Sequence, residues 1–272
     1  MHGLGVSDGE RLDKLRSLLR TWESVGVAYS GGADSSFLLK VAKGELGEKA
    51  VGIMAVSSSL SKKDRTVGLD LAKWMGVRVV QVKVDPLKEE GFASNPLDRC
   101  YLCKHLILSR IIEVARAEGL AQVVDGVNAD DLESHSQGLR AAKELGVRSP
   151  LAEAGIGKRE VRKLSRRMGL PSADKPHSAC LVTRIPYGAM VTPEKLKQVE
   201  RAEDFLAGLG VGQLRVRHHG ETARIEVLPK DFAMIMASRE EIVRRFKAIG
   251  FRYVCLDIEG FRSGSMETLK RE

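Results

Sequence analysis

The sequence predicts an α/β protein: a doubly wound parallel sheet followed by a small C-terminal α+β unit. Three observations carry this expectation. Short runs rich in valine and isoleucine alternate with stretches of helical periodicity along the first two thirds of the chain. Polar, glycine-containing corners recur where those runs end, as at the carboxyl ends of strands in open parallel sheets. After "PSADKPHSACLVTRIPYG" the order becomes helix, two alternating strands, helix, strand.

Taken in order, Leu12, Leu15, Leu18 and Leu19 repeat at helical spacing, and "SVGVAYS" reads as a buried strand. A helix follows from Asp34 to about Gly44, then the strand "AVGIMAVSSS" and a helix from about Lys62 to Met75. "VRVVQVKVD" is a third strand and "LCKHLILSRIIEVARAEG" a long helix. "AQVVDGVNADD" is a fourth strand with its exit loop, "LRAAKELG" a helix and "VRSPL" a short fifth strand. "GKREVRKLSRRMG" is a basic amphipathic helix. The second unit comprises a helix from Pro193 to Gly208, strands "LRVRHHG" and "TARIEVL", a helix from Asp231 to Ile249 and the strand "YVCLDIEG". A chain of 272 residues accommodates two domains, placed at 1–178 and 179–272.

Hydrophobic residues make up 43% of the chain, which excludes a disordered class. The net charge of +8 points to an anionic partner: a nucleotide, RNA or an acidic small molecule. No apolar run reaches membrane-spanning length, and charges interrupt the leucines of "MHGLGVSDGERLDKLRSLLR", so no secretory signal is read there. A cytoplasmic protein is expected. In that reducing setting Cys100, Cys103, Cys180 and Cys255 point to metal or redox chemistry rather than structural disulfides.

The corner "VAYSGGADSSFLLK" runs from a strand through glycines into a helix, the arrangement of an anion site. Gly31 and Gly32 let a phosphate approach the backbone, and Ser30, Ser35 and Ser36 add hydroxyl donors. Asp34 would repel a bare phosphate, so it either caps the helix or works with Mg²⁺ that the phosphates bring. The Walker pattern is absent, which argues against a kinase or GTPase loop. "AVSSS" and "DGVNADD" put two more polar strand ends beside this corner.

Cys100-x-x-Cys103 fits a zinc half-site, a redox pair or a cluster half-site, and His177 or His105 would complete a Cys₃His zinc set. Three thiolates can also hold three irons of a cubane and leave the fourth open for hydrosulfide. Cys255 lies among strand residues and is expected to fill core.

"SGGADSS" resembles the pyrophosphate-binding loop of the ATP-pyrophosphatase (adenine nucleotide alpha hydrolase-like) superfamily, which includes NAD synthetase, GMP synthetase and the tRNA thiolases. The resemblance implies cleavage of ATP between the α and β phosphates. It also implies adenine near Ala55 to Ser57, and nucleotide near Asp125 and Gly126. Across nearly the whole chain, "NPLDRCYLCK", "VVDGVNADD", "VRSPL", "DKPHSACLVTRIPYG", "RVRHHGETARIEV" and "GFRSGSM" together resemble the LarE family of sulfur transferases. That family adenylates a carboxylate of a pyridinium dicarboxylate mononucleotide and replaces oxygen with sulfur, for the nickel-pincer nucleotide cofactor. In one family chemistry the cysteine matching Cys180 gives up its own sulfur. In the other it joins a CxxC pair to bind a [4Fe–4S] cluster. Cys100, Cys103 and Cys180 together look like the cluster type. ATP, Mg²⁺ and the cluster are the implied cofactors, and a trimeric or hexameric homo-oligomer is implied. Where members often carry Arg-Pro-Gly this chain reads Ser136-Gln137-Gly138, which moves any role of that arginine to Arg140 or removes it.

Arg184 is expected to clamp a phosphate or carboxylate of the substrate. Lys104 is read either as stabilising thiolate or sulfide charge or as a solvated helix residue. Asp130 and Asp131 either bind Mg²⁺ through water or cap a helix. By the resemblance, Glu203 and Glu226 contribute to an anionic site near the transferred sulfur or a bound metal, whereas Glu200 reads as a solvated helix face. His218 and His219 are adjacent on a strand, point to opposite faces and are not read as a metal pair. Two rival functions share these features: thiolation of tRNA, disfavoured by only 5% aromatic residues, and a zinc-stabilised nucleotide-binding regulator.

Overall fold

A computed structural model describes residues 7–133, 137–175, 179–262 and 264–266. The chain divides into two compact units, Met1–Pro86 with Cys100–Ser178, and Leu87–Arg99 with Ala179–Glu272.

The larger unit runs α1 (Asp8–Thr21), β1 (Val25–Ala28), α2 (Ala33–Leu46), β2 (Ala50–Val56), α3 (Lys62–Trp74), β3 (Val79–Lys83), α4 (Arg99–Ala117, of which Arg99 falls in the smaller unit), β4 (Gln122–Val124), α5 (Gln137–Glu144), α6 (Pro150–Glu153) and α7 (Lys158–Arg167). Its sheet has the order β3-β2-β1-β4, parallel at every pairing. Helix α1 starts on a capping box, in which Ser7 Oγ accepts from Glu10 N and Glu10 accepts from Ser7 N. Val25 and Val27 of β1 are fully buried among Phe37, Leu38, Leu39, Leu15 and Leu19, so the central strand has no solvent face. The chain leaves β1 toward β2 and β3, then returns to the other side of β1 as β4. The crevice between β1 and β4 is therefore the switch point at which ligands bind in such sheets.

The fifth strand expected at "VRSPL" does not form: Arg148 makes only a single bridge to Val124, and the chain turns into α6 with Pro150 in its first turn. Proline lacks an N–H and fits a first helical turn better than a ladder.

The smaller unit contains α8 (Pro193–Gly208), β5 (Leu214–His219), β6 (Thr222–Val227), α9 (Phe232–Ala237), α10 (Arg239–Ile249) and β7 (Tyr253–Leu256). The single helix expected over 231–249 is two, because Ser238 leaves helical geometry at ψ 10°. The sheet β5-β6-β7 turns Val216, Ala223, Ile225 and Val227 into a core with Leu206, Ile242 and Phe246. Cys255 does not fill core: it alternates with Val254 and Leu256 along the edge strand β7 and is exposed. Among the described residues no helix is long and apolar enough to cross a membrane.

Candidate active site

At the β1 exit, Gly31 adopts φ +70°, and a Cβ there would lie 2.7 Å from Gly68 Cα of α3. Only glycine permits both the backbone angle and this contact. Tyr29 Oη donates to the Gly68 carbonyl at 2.7 Å and locks α3 against the loop. The Ser30 and Ser35 hydroxyls lie 3.1 Å apart, with Ser35 Oγ also 3.3 Å from the Gly32 carbonyl. Gly32 is the N-cap residue of α2, and no side chain caps that helix. The first-turn N–H groups of α2 thus face the corner without a side-chain acceptor, which suits an incoming phosphate. Asp34 does not cap: its Oδ2 accepts from Lys158 Nζ, and its Oδ1 is buried without a hydrogen-bond partner among the described residues. A carboxylate with an unused oxygen at a phosphate cradle fits Mg²⁺ coordination.

The β4 exit closes on the same corner. A Cβ on Gly126 would lie 2.8 Å from Ser35 N and 3.0 Å from Ser35 Cα, so the two backbones touch at the switch point. Asp125, 1% exposed, accepts from Ser149 Oγ and Val127 N, and Lys104 Nζ lies 3.3 Å from its Oδ2. Ala55 and Ser57 stand at the end of β2, the neighbouring parallel strand, with Ser57 Oγ 2.7 Å from Ser59 Oγ. Ser30, Gly31, Gly32, Asp34, Ser35, Ala55, Ser57 and Gly126 therefore share one edge of one sheet.

Asp130 and Asp131 serve the backbone. Asp130 Oδ2 accepts from Lys158 N at the start of α7, and Asp131 Oδ2 accepts from Asn128 N. Cys100 and Cys103, three apart near the start of α4, lie on one helical face. Lys104 turns to Asp125, His105 packs its ring on Tyr101, and Arg140 stacks 3.8 Å over the same Tyr101. His177 and Ser136 lie outside the described residues.

The smaller unit builds a second constellation. Cys180, exposed, precedes the 3₁₀ turn Leu181–Arg184. Arg184, expected as a clamp, is 3% exposed and spends its donors within the unit: on both oxygens of Glu203 at 2.9 and 3.0 Å, and on the carbonyls of Ala179 and Cys180. Glu203 also accepts from Val216 N. Glu226, fully buried, accepts from Arg217, Arg224 and Ser265. Period-two alternation and the register Arg215↔Glu226 and Arg217↔Arg224 put these side chains on one face of the sheet. Burial, with Arg184 and Arg217 nearby, lowers the pKa of Arg215 to about 10 despite Glu203 and Glu226. Arg215, Arg217 and Arg224 were not singled out from sequence, although "RVR" in a strand places its two arginines on one face.

The four cysteines form no disulfide. Cys100 and Cys103 belong to the larger unit and Cys180 to the smaller. Among the described residues no three His, Cys, Asp or Glu side chains are grouped to hold a metal.

Three relatives bear on this site. An uncharacterised protein of Synechocystis sp. is 42% identical over 258 residues, covering 94% of this chain and 96% of that one. The pyridinium-3,5-bisthiocarboxylic acid mononucleotide synthase of Lactiplantibacillus plantarum is 35% identical over 253 residues, 93% of this chain and 92% of that one. The tRNA-specific 2-thiouridylase MnmA of Leptospira biflexa is 28% identical over 249 residues, 73% of this chain and 62% of that one. No protein-family model matches.

Proposed function

The chain belongs to the LarE family, that of the pyridinium-3,5-bisthiocarboxylic acid mononucleotide synthase, and on that premise we propose that this enzyme uses ATP and Mg²⁺ to turn a carboxylate of a pyridinium mononucleotide into a thiocarboxylate. The observation that carries the reading is the corner at Ser30, an uncapped helix N-terminus at the switch point of a parallel sheet. There the substrate carboxylate attacks the α-phosphorus of ATP and the bond to the β-phosphate oxygen breaks. Pyrophosphate leaves into the cradle of Ser30, Gly31, Gly32 and Ser35, with Asp34 on the metal and Ala55 and Ser57 on the adenine side. Gly126 admits the close backbone approach that shapes the cradle. A sulfur nucleophile then adds to the acyl carbon, and AMP departs with the carboxylate oxygen.

The smaller unit, with Cys180 and Arg184, is proposed as the sulfur-transfer and oligomerisation domain, in a cytoplasmic trimer or hexamer. Its arginine face supports binding of an anionic substrate. Glu203 and Glu226 act by holding those arginines in place. For the sulfur source we propose a [4Fe–4S] cluster on Cys100, Cys103 and Cys180. The CxxC face of α4 and the exposed Cys180 beside the Arg184 guanidinium support it. Such a cluster supplies a held sulfide, which raises the effective concentration of the nucleophile.

The test is anaerobic reconstitution with iron and sulfide, then turnover with excess substrate and mass spectrometry of the protein. Iron near four per chain, several thiolated products per chain and an intact Cys180 are expected. One product per chain with dehydroalanine at 180 replaces the cluster with a sacrificial cysteine. Tight, salt-sensitive tRNA binding would move the substrate to tRNA.

A further inference from the structure

Three buried guanidiniums of the smaller unit grip one stretch of chain, residues 179–185, which carries Cys180. Arg184 Nη1 donates to the carbonyls of Ala179 and Cys180, Arg217 Nη1 to that of Thr183 at 3.0 Å, and Arg99 Nη1 to that of Ile185 at 3.4 Å. The three arginines are 3%, 5% and 4% exposed.

The other edge of each guanidinium, Nε with Nη2, tells them apart. In Arg184 that edge takes both oxygens of Glu203, and in Arg217 it takes Glu226 Oε2. In Arg99 it makes no hydrogen bond among the described residues, and none of their carboxylates lies within ion-pair distance. Arg99 is nevertheless fixed in place. Its Nη1 donates to Asn95 Oδ1 at 2.6 Å, and its guanidinium carbon stands 3.9 Å from the ring centre of Tyr187. Asn95, fully buried, is held in turn by donating to the carbonyls of Ile185 and Pro186 at 3.2 and 2.6 Å. Neutral acceptors orient a guanidinium but leave its charge without a counterion, which burial makes costly.

We propose that Arg99 is a specificity-determining residue whose Nε–Nη2 edge binds one carboxylate of the pyridinium dicarboxylate substrate, the one not being activated. The inference rests on the substrate reading above. A carboxylate is flat and offers two oxygens to the two parallel N–H groups of that edge, as Glu203 does on Arg184. Tyr187, on the face of the guanidinium, gives an acid carried on an aromatic ring a flat wall to lie against. While one acid of the substrate is adenylated the other keeps its charge, and Arg99 reads that charge.

The experiment is calorimetric titration of the full chain, without ATP, with pyridinium-3,5-dicarboxylate mononucleotide and with the 3-monocarboxylate that lacks the second acid. Wild type should bind the diacid about tenfold or more tightly than the monoacid. Arg99→Lys keeps the charge and loses the two-pronged edge, and Arg99→Gln loses both. Each should narrow the preference to about twofold or less, with monoacid affinity changed less than about twofold, and thermal unfolding confirms that the variants are folded. Arg239→Met, which breaks only a surface contact with Glu240, should change nothing. Equal weakening of both probes places Arg99 on the phosphate or on the shared acid and overturns the assignment, as does no weakening of either. A wild type that binds the two probes equally also overturns it, with no variant needed, while the substrate reading stands. A wild type that binds neither overturns the substrate reading and this inference with it.

Discussion

Gly126→Ala tests whether the β4 exit shapes the nucleotide corner. The added methyl would meet Ser35 N at 2.8 Å, Ser35 Cα at 3.0 Å and the Asp34 carbonyl carbon at 3.2 Å. All three are backbone atoms at the start of α2, so no rotamer change relieves the contact and the two segments must separate. Overpacking of this kind costs about 1–3 kcal/mol, which corresponds to a drop in Tm from about 2 up to about 10 °C. Because Ser35 and the first-turn N–H groups of α2 move with it, ATP affinity should fall by about tenfold. Gly44→Ala is the matched control: Gly44 lies inside α2, and a Cβ there meets nothing within 4 Å. It should stabilise the chain by about 1 kcal/mol through helix propensity and leave ATP affinity unchanged. Thermal unfolding and calorimetric ATP titration of the two variants read both quantities. A Gly126→Ala protein with wild-type Tm and wild-type ATP affinity would refute the claim that these backbones touch at a nucleotide site.

Two further outcomes follow from the smaller unit. Glu226→Ala leaves the buried guanidinium of Arg217 without its carboxylate, and denaturant unfolding should show a loss of about 3–5 kcal/mol, whereas exposed Glu221→Ala should show almost none. His218 is held below its ordinary pKa of 6.5 by burial and by the nearby Lys195 charge. The unfolded chain therefore binds that proton more readily than the folded one. The stabilising contribution is complete above about pH 6.5 and is lost as pH falls through the depressed folded value. Unfolding midpoints from pH 7.5 to 5.5 should decline more steeply for wild type than for His218→Gln, and parallel profiles would contradict it.

The corner was legible because its chemistry is local: a strand, two glycines and a helix start lie within a few residues, and the physics of anion binding acts on that scale. The fifth strand was misread because "VRSPL" carries a strand-like start, while Pro150 decides the local backbone in favour of α6. Cys255 was misread for want of face information. Its neighbours are apolar, yet edge strand β7 sends odd-numbered residues outward. The arginine face was hidden because a strand arginine becomes meaningful only opposite its cross-strand partners, and the register pairing Arg215 with Glu226 emerges from folding. Lys158 and Lys175 were the least visible, since separations of 124 and 144 residues from their loop partners leave no trace in local pattern.

The two constellations differ in how their charges are held, and that difference assigns them different work. Around Glu226 and Arg217 the groups are almost fully buried and share several hydrogen bonds, so moving one leaves another uncompensated in a low-dielectric interior. Such a face is preorganised and cannot rearrange cheaply. At the Ser30 corner the Lys–Asp pairs are partly solvated, and each acid can change its cation for a metal. The reaction proposed above, which would expel pyrophosphate and then AMP, would draw on both behaviours. In that proposal the leaving polyanion would use cations that can exchange partners, and the acyl transfer a field that stays fixed. Raising salt from about 0.05 to 0.5 M should accordingly weaken pyrophosphate binding severalfold by screening the exchangeable pairs. The unfolding free energy of the smaller unit, held by its buried pairs, should barely respond.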